Sequence, residues 1–241
     1  MNTTRRISAL VTGFTLAFGS LAGAQSLLDG KVFISVNGGG QTQSRTADNT
    51  FSIPIYGQTA TVATTTSIPS GAIFDVSGGY KVMPNIGVAV GFSTFSVTGA
   101  TAGAASVPSP IFFNRPLAVT IPESPADRKD RSVYVLLVGF VPITDKVELA
   151  LSIGPSFIHV EQSLIASVSI PAGTQNVNPT QQTQSGTAKG INVGADLTYM
   201  FINHVGAGGF IRYNGGSIDL DSAPDLKAGG FQVGVGARLR F

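Results

Sequence analysis

Apolar residues at every second position, repeated along the chain, constrain this sequence more than any other feature. At the C-terminus Phe231, Val233, Val235, Ala237, Leu239 and Phe241 alternate with Gln232, Gly234, Gly236, Arg238 and Arg240. Val147, Leu149, Leu151, Ile153 and Phe157 do the same against Glu148, Ala150, Ser152, Gly154 and Ser156. The pattern recurs in Ile191 to Phe201 and in Ile86 to Phe92. A period of 2 belongs to extended strands with two unlike faces. After Leu21 no apolar run is long enough for a spanning helix, and no window keeps a 3.6 period.

The alternation predicts eight strands, at about 31–42, 71–82, 86–98, 131–142, 147–162, 189–201, 205–217 and 230–241. Strand 131–142 is apolar on both parities, so its facing is open at this point. The connections alternate in length. Met83-Pro84-Asn85, Ile143 to Lys146, and Ile202-Asn203-His204 are tight turns. Between them lie long polar segments at about 43–70, 99–130, 163–188 and 218–229, read as loops. Within them Ser163 to Ile170 still alternates, which extends some strands into the loops. Short turns on one rim and long loops on the other is the plan of an outer-membrane barrel, with turns in the periplasm and loops outside.

Composition decides between lipid and water on the outer face. Of 241 residues 12% are charged and 43% hydrophobic, half the charge expected of a water-soluble domain. The non-apolar parity is mostly Gly, Ala and Ser, a poor surface for water and a suitable filling for a narrow lumen. A soluble sandwich or lipocalin-like barrel is the competing reading, because it uses the same period. In lipid a strand meets its hydrogen bonds only in a closed barrel. Tyr80, Tyr199, Phe201, Tyr213, Phe231 and Phe241 fall near strand ends on the apolar parity, where an interfacial girdle belongs. The fold class is therefore all-β: an eight-stranded antiparallel up-and-down transmembrane barrel.

Residues 1–24 read as a secretory signal peptide. Arg5 and Arg6 form the positive region, an apolar stretch runs to Leu21, and Ala22-Gly23-Ala24 is the cleavage site. The mature barrel domain is then 25–241, exported by the general secretion route. Arg5 and Arg6 leave with the leader, so thirteen basic residues face thirteen acidic ones. That balance gives no basic stripe for nucleic acid. With no cysteine in the chain, thiolate chemistry and disulfide frameworks are excluded.

The architecture resembles the eight-stranded outer-membrane barrels of the OmpA/OmpX type, and the C-terminus carries the sharper likeness. Phe241, Leu239 and Gly236 match the terminal aromatic, the apolar residue two before it and the glycine three before that; Gly234 stands where such proteins often have a polar residue. The resemblance implies that these residues form an assembly signal read by the barrel-assembly machinery, with periplasmic chaperones as further partners during biogenesis. It also implies residence in the lipid of the outer membrane of a Gram-negative-type bacterium. The peptidoglycan-binding module of some members is not expected here.

No catalytic constellation, cofactor site or metal site is assigned. His204 lies in a turn. His159, Glu161 and Ser163 share a parity, but His159 lies roughly 30 Å above its turn, past the ~25 Å apolar band, and the spacing matches no catalytic motif. Asp219, Asp221 and Asp225 have oxygen ligands at a spacing that calcium uses, without the glycine and glutamate of an EF-hand. Glu123, Asp127, Arg128, Lys129, Asp130 and Arg131 read as a solvated rim.

The inward parity places Asp75, Asp196 and Arg212 near mid-height, with Lys31, Lys81, Glu148, Arg238 and Arg240 nearer the periplasmic rim. Asp196 should face Phe210, leaving Arg212 its diagonal neighbour, so Arg212 is expected to contact Asp196, Asp75 or both. The expected function is non-enzymatic: a barrel displaying surface loops for envelope integrity, adhesion or interaction with an unidentified extracellular ligand. The rival is a small-solute channel or hydrophobic-compound transporter, with a lipid-modifying enzyme third.

Overall fold

The computed structural model describes residues 30–42, 45–55, 57–108, 115–169, 178–220 and 223–241. The expected signal peptide lies outside them. The strands are β1 (Val32–Gln41), β2 (Arg45–Ile55), β3 (Gln58–Ile68), β4 (Gly71–Met83), β5 (Ile86–Val107), β6 (Leu117–Pro142), β7 (Val147–Ser169), β8 (Asn178–Ile202), β9 (Val205–Leu220) and β10 (Ala223–Arg240). Every pairing is antiparallel. β4 to β10 each pair with their sequence neighbours, and β1 pairs with both β4 and β10. These eight strands therefore close on themselves, leaving no edge in the lower molecule.

β2 and β3 form a hairpin above that ring. β3 pairs with β5 from Thr61↔Ser106 to Ser67↔Ala100, directly above the β4 ladder that begins at Ile73↔Phe95. β1 with β2, and β3 with β4, are thus two staves, each interrupted once, and the molecule has eight staves. The expected long loops are corrected here. Segment 43–70 is mostly the β2–β3 hairpin; β5 runs to Val107, β6 begins at Leu117, β7 reaches Ser169 and β8 begins at Asn178. Likewise β9 ends at Leu220 and β10 begins at Ala223, so little of 218–229 is loop. The polar residues there are rich in Thr, which suits a strand as well as a loop.

The outward parity carries a band of large apolar side chains: Phe74 to Val82 on β4, Ile86 to Phe92 on β5, Val133 to Val141 on β6, Leu151 to Phe157 on β7, and Ile191 to Phe201 on β8. The longer of these stretches, on β4, β6 and β8, span the length at which a tilted strand crosses hydrocarbon. Val133, Val135 and Leu137 are about half exposed, which is costly in water and favourable against lipid. Tyr80, Tyr199 and Phe201 edge the band below, and Tyr213 and Phe231 above. The facing of 131–142 is resolved: Tyr134, Leu136, Val138 and Phe140 point inward and pack with Ala89, Phe33 and Ala150. Gly91 makes room for Tyr134, since a Cβ there would lie 2.4 Å from its ring.

Above the band the two faces exchange character. Outward positions become Thr61, Ala63, Thr65 and Ser67 on β3 and Asp127, Lys129 and Arg131 on β6. Inward positions become apolar. Val62, Ala105, Val107, Val119, Ile121, Ile165 and Val168 form one buried cluster. Ile158, Val160, Leu164, Ala188, Leu220, Leu226 and Ala228 form another beneath it. The staves thus continue past the membrane as a crown with an interior like that of a water-soluble sandwich.

Candidate functional site

Polar side chains inside the barrel are stacked in layers, beginning at the periplasmic rim. Glu148 on β7 accepts from Lys81 on β4 at 3.0 Å and from Arg240 on β10. Lys81 Nζ also lies 4.3 Å from the centre of the Phe140 ring, which meets Phe33 edge to face at 5.2 Å.

The second layer gathers residues from six staves. Arg212 Nη2 on β9 lies 2.8 Å from Asp75 Oδ2 on β4, and Arg212 Nη1 donates to the Tyr134 hydroxyl at 2.9 Å. Tyr134 in turn donates to Asp75. Asn37 on β1 donates to Asp75 Oδ1 at 2.8 Å and accepts from Arg238 Nη1 at 2.6 Å. Arg238 reaches Asp196 with Nε at 3.1 Å and with Nη2. The chain Arg212–Asp75–Asn37–Arg238–Asp196 therefore runs around the lumen. Asp75 is 1% exposed, so this pairing is dry.

Of the two partners expected for Arg212, the layer supplies Asp75. Asp196 does face Phe210, but Arg212 turns to Asp75, and Asp196 is taken by Arg238, which reaches over β9 from β10. Gly208 lies between them; a Cβ there would stand 2.9 Å from Arg238 Nε. A missing side chain on the middle stave thus lets a long arginine skip a neighbour. Arg238 accordingly belongs to the mid-height layer rather than the rim. Sequence reasoning missed Asn37 and Tyr134. Tyr134 was hidden in a stretch apolar on both parities, and its one signal was Gly91 on the facing stave.

Below the band's outer edge and inside the lumen lie buried amides, among them Gln41, Asn192, Asn214 and Gln232, with Asn214 donating to Ser132 at 3.0 Å. Above them sits a third ionic layer. Arg128 Nε donates to Asp130 Oδ1 at 2.9 Å; Arg128 Nη2 donates to the Lys227 carbonyl at 2.7 Å, and Asp130 Oδ2 accepts from Gly229 N–H at 3.1 Å. Arg128 and Asp130 are 2% and 3% exposed. The expectation of a solvated rim is corrected for these two: they alternate inward on β6, while Asp127, Lys129 and Arg131 face out. The Lys227 and Gly229 groups lie on the β10 edge facing β1, where Thr42 N–H donates to Phe231 O at 3.0 Å, and β2 does not continue that ladder. Arg128 and Asp130 satisfy backbone groups that would otherwise be stranded. Between the first two layers a cavity of about 90 Å3 remains, lined in part by Asn37, Asp75, Asp196, Arg212 and Arg238.

The other candidates separate. His159 Nδ1 pairs with Thr187 Oγ1 at 3.2 Å and its Nε2 lies 3.8 Å from Glu161, while Ser163 pairs with Thr183 at 3.3 Å. Ser163 is paired with Thr183 rather than with His159, and all three side chains are on the outer wall. His204 lies in its turn and stacks on Phe241 at 6.0 Å. Asp219 Oδ1 accepts from Asp225 N–H at 2.8 Å. Lys227 donates to both oxygens of Asp225 at 2.7 and 2.9 Å and holds that exposed carboxyl below the usual carboxylate range. Asp221 lies outside the described residues. Lys31 is exposed at the periplasmic end, its carbonyl accepting from Lys81 N–H at 2.8 Å. At the barrel seam Gly236 faces Asn37 and Leu239 faces Ile34. Phe241 and Val32 exchange two backbone hydrogen bonds of 2.9 Å.

A closed ring of antiparallel staves, an apolar outer band and a polar lumen are the marks of an outer-membrane barrel. The family model described as "Outer membrane protein beta-barrel domain" matches residues 12–238. The chain belongs to this family. It is a protein of the Gram-negative outer membrane. Among solved structures it is similar to Neisserial surface protein A (14% identity, 87% of this chain and 97% of that one, TM-score 0.48). It is also similar to Ail, the attachment invasion locus protein of Yersinia pestis (16%, 88% and 99%, 0.41). A third is the outer membrane protease OmpT of Escherichia coli (11%, 88% and 97%, 0.48). No curated protein sequence matches the chain. An outer-membrane barrel hosts many activities, so the role has to be argued from the residues.

Proposed function

We propose that this outer-membrane barrel is a non-enzymatic scaffold that presents its crown at the cell surface, for adhesion, interaction or envelope integrity. The layered filling of the lumen carries this reading. A solute channel needs a continuous wet path, whereas here ion pairs bridge the interior at two heights, Arg128 and Asp130 reach the β10 backbone at a third, and two apolar clusters fill the crown. The pairing of Ser163 with Thr183 rather than with His159 favours the non-enzymatic reading over a His–Ser–Glu hydrolase. The length of β5 to β8 supports display: strands of 22 to 26 residues outrun the membrane and hold the outer surface rigid.

Reconstitution into planar bilayers with conductance recording tests the reading. The wild-type protein is expected to stay closed, and Arg212→Ala to leak. Deleting the β2–β3 hairpin should abolish a surface phenotype while sparing or raising conductance. Steady open-channel conductance in the wild type, unchanged by Arg212→Ala, would overturn the scaffold in favour of a channel.

A further inference from the structure

Positive charge at the upper edge of the lipid band is concentrated on one wall. Lys129 and Arg131 on β6 and Lys189 on β8 supply it; with His159 on β7 they share the outward parity with Val133, Phe157 and Ile191, the last large apolar residues of their staves. The ladders make them neighbours: Arg131 faces His159, Lys129 faces Glu161, His159 faces Thr187, and Lys189 faces Phe157. Glu161 is the carboxylate within the group; it accepts from Arg131 Nη1 at 3.0 Å. The Arg131 side chain is nevertheless 50% exposed. Asp127, two residues farther up β6, turns toward β5 and accepts from Thr98 at 2.7 Å. Beside this wall Ser217 on β9 faces Lys189, with Asp219 two residues above it; on the opposite wall Lys227 of β10 is paired with Asp225, and Ala72 stands above Phe74 on β4. The charge is therefore asymmetric around the barrel.

We propose that the β6–β8 wall binds the phosphate groups of a phosphorylated lipid in the outer leaflet. The inference uses the membrane orientation and is independent of the scaffold reading. A cation one or two residues beyond the hydrocarbon lies at headgroup depth, where its aliphatic stem packs on acyl chains and its head meets the phosphate. Arg131 is fixed by Glu161 through one nitrogen, and its remaining N–H groups form a fork suited to a phosphate oxygen pair. Lys189, diagonal to His159 across the β7–β8 ladder, supplies a second point charge. Phe157, Val133 and Ile191 directly below provide the surface for the acyl chains. The same lipid on the opposite wall would meet the uncharged Ala72 and a cation already paired.

The test uses the folded full-length mature protein in phosphatidylcholine nanodiscs doped either with diphosphoryl lipid A or with the same lipid stripped of its phosphates. Native mass spectrometry counts lipid retained after release into detergent, and heat-modifiable gel mobility confirms folding. Wild type is expected to retain the phosphorylated lipid selectively. Arg131→Gln with Lys189→Gln should weaken retention about tenfold. The charge-keeping pair Arg131→Lys with Lys189→Arg should restore most of it, and Lys146→Gln with Lys227→Gln should leave it unchanged. Equal retention of both lipids by wild type overturns the proposal without any variant having to fold. So does an equal loss in the Lys146/Lys227 control, which would reduce the effect to overall charge.

Discussion

The lower barrel and the crown are built from the same staves and obey opposite rules. On β6, Val133, Val135 and Leu137 face out and Tyr134 faces in; a few residues earlier Asp127 and Lys129 face out and Ala126 and Ile121 face in. The parity is unbroken from Ala126 to Tyr134 while the chemistry on each parity inverts, because the solvent outside changes from lipid to water. The two regions also stabilise themselves differently. In lipid, burial of apolar surface between staves gives little, so the lumen is tied by the Asp75–Tyr134–Arg212 layer. In water, the crown gains from burying Val62, Ile121 and Ile165. Arg128 and Asp130 stand at the junction, polar like the layers below and enclosed by the apolar cluster above.

The largest effect should come from breaking the dry lumen layer. Arg212→Ala leaves Asp75 buried without its cation and is expected to cost about 3–5 kcal/mol. Tyr134→Phe keeps the ring beside Gly91 and removes only the bridging hydroxyl, which is expected to cost about 1–3 kcal/mol. Urea unfolding in detergent micelles, followed by gel mobility, measures both. If Arg212→Ala unfolds at the wild-type urea concentration, the layer is solvated and the contrast between the two regions is lost.

The same substitution placed on the outer face of each region probes the change of solvent. Leu137→Lys puts a charge near the middle of the lipid band and should destabilise the barrel by about 2–4 kcal/mol. Thr65→Lys, on the outward face of the crown, should change stability by about 0.5 kcal/mol or less. Similar losses at both sites would mean that the crown face is also covered by lipid. Phe241→Ala tests the seam and the assembly signal together, since Phe241 closes β10 onto Val32. A lower folded yield in the outer membrane is expected, with Met200→Leu as the unaffected control.

The lower barrel was legible in sequence because its outward side chains are large and its turns are marked by Pro84, Asp145 and Asn203. Eight staves, the facing of all but 131–142 and the short-turn rim follow from that alternation. The crown was less legible. Its outward residues, such as Thr61, Ala63 and Thr65, are small and polar, and a strand of Thr and Ala looks like a loop until its inward Val62 and Ala60 find a shared core. Arg128 and Asp130 were lost for a related reason: charges in a mixed run look solvated unless their strand parity is known. Asp75 and Arg212 were placed on the inward parity, but the partner of Asp196 depended on Gly208. A glycine one stave from each end of an ion pair leaves no local signal of what passes over it.

The smallest expected effect addresses whether crown and barrel unfold as one. Ile121→Val removes one methylene group from the upper cluster, where Ile121 is 1% exposed, and should cost about 0.5–1.5 kcal/mol. Because that cluster is separated from the Asp75–Arg212 layer by the lower apolar cluster and the Arg128–Asp130 pair, the loss should appear locally. Hydrogen exchange is expected to accelerate at amides of β2, β3 and the outer part of β5, while amides of β1 and the lower part of β10 keep wild-type protection. The ladder gives this division a mechanical basis: β2 pairs with β3 alone, so the hairpin has a free side along which it opens without disturbing the closed ring. Equal acceleration in β1 and β10 would show that the inversion of faces on each stave does not divide the molecule energetically, and that lipid-facing and water-facing regions form one cooperative unit.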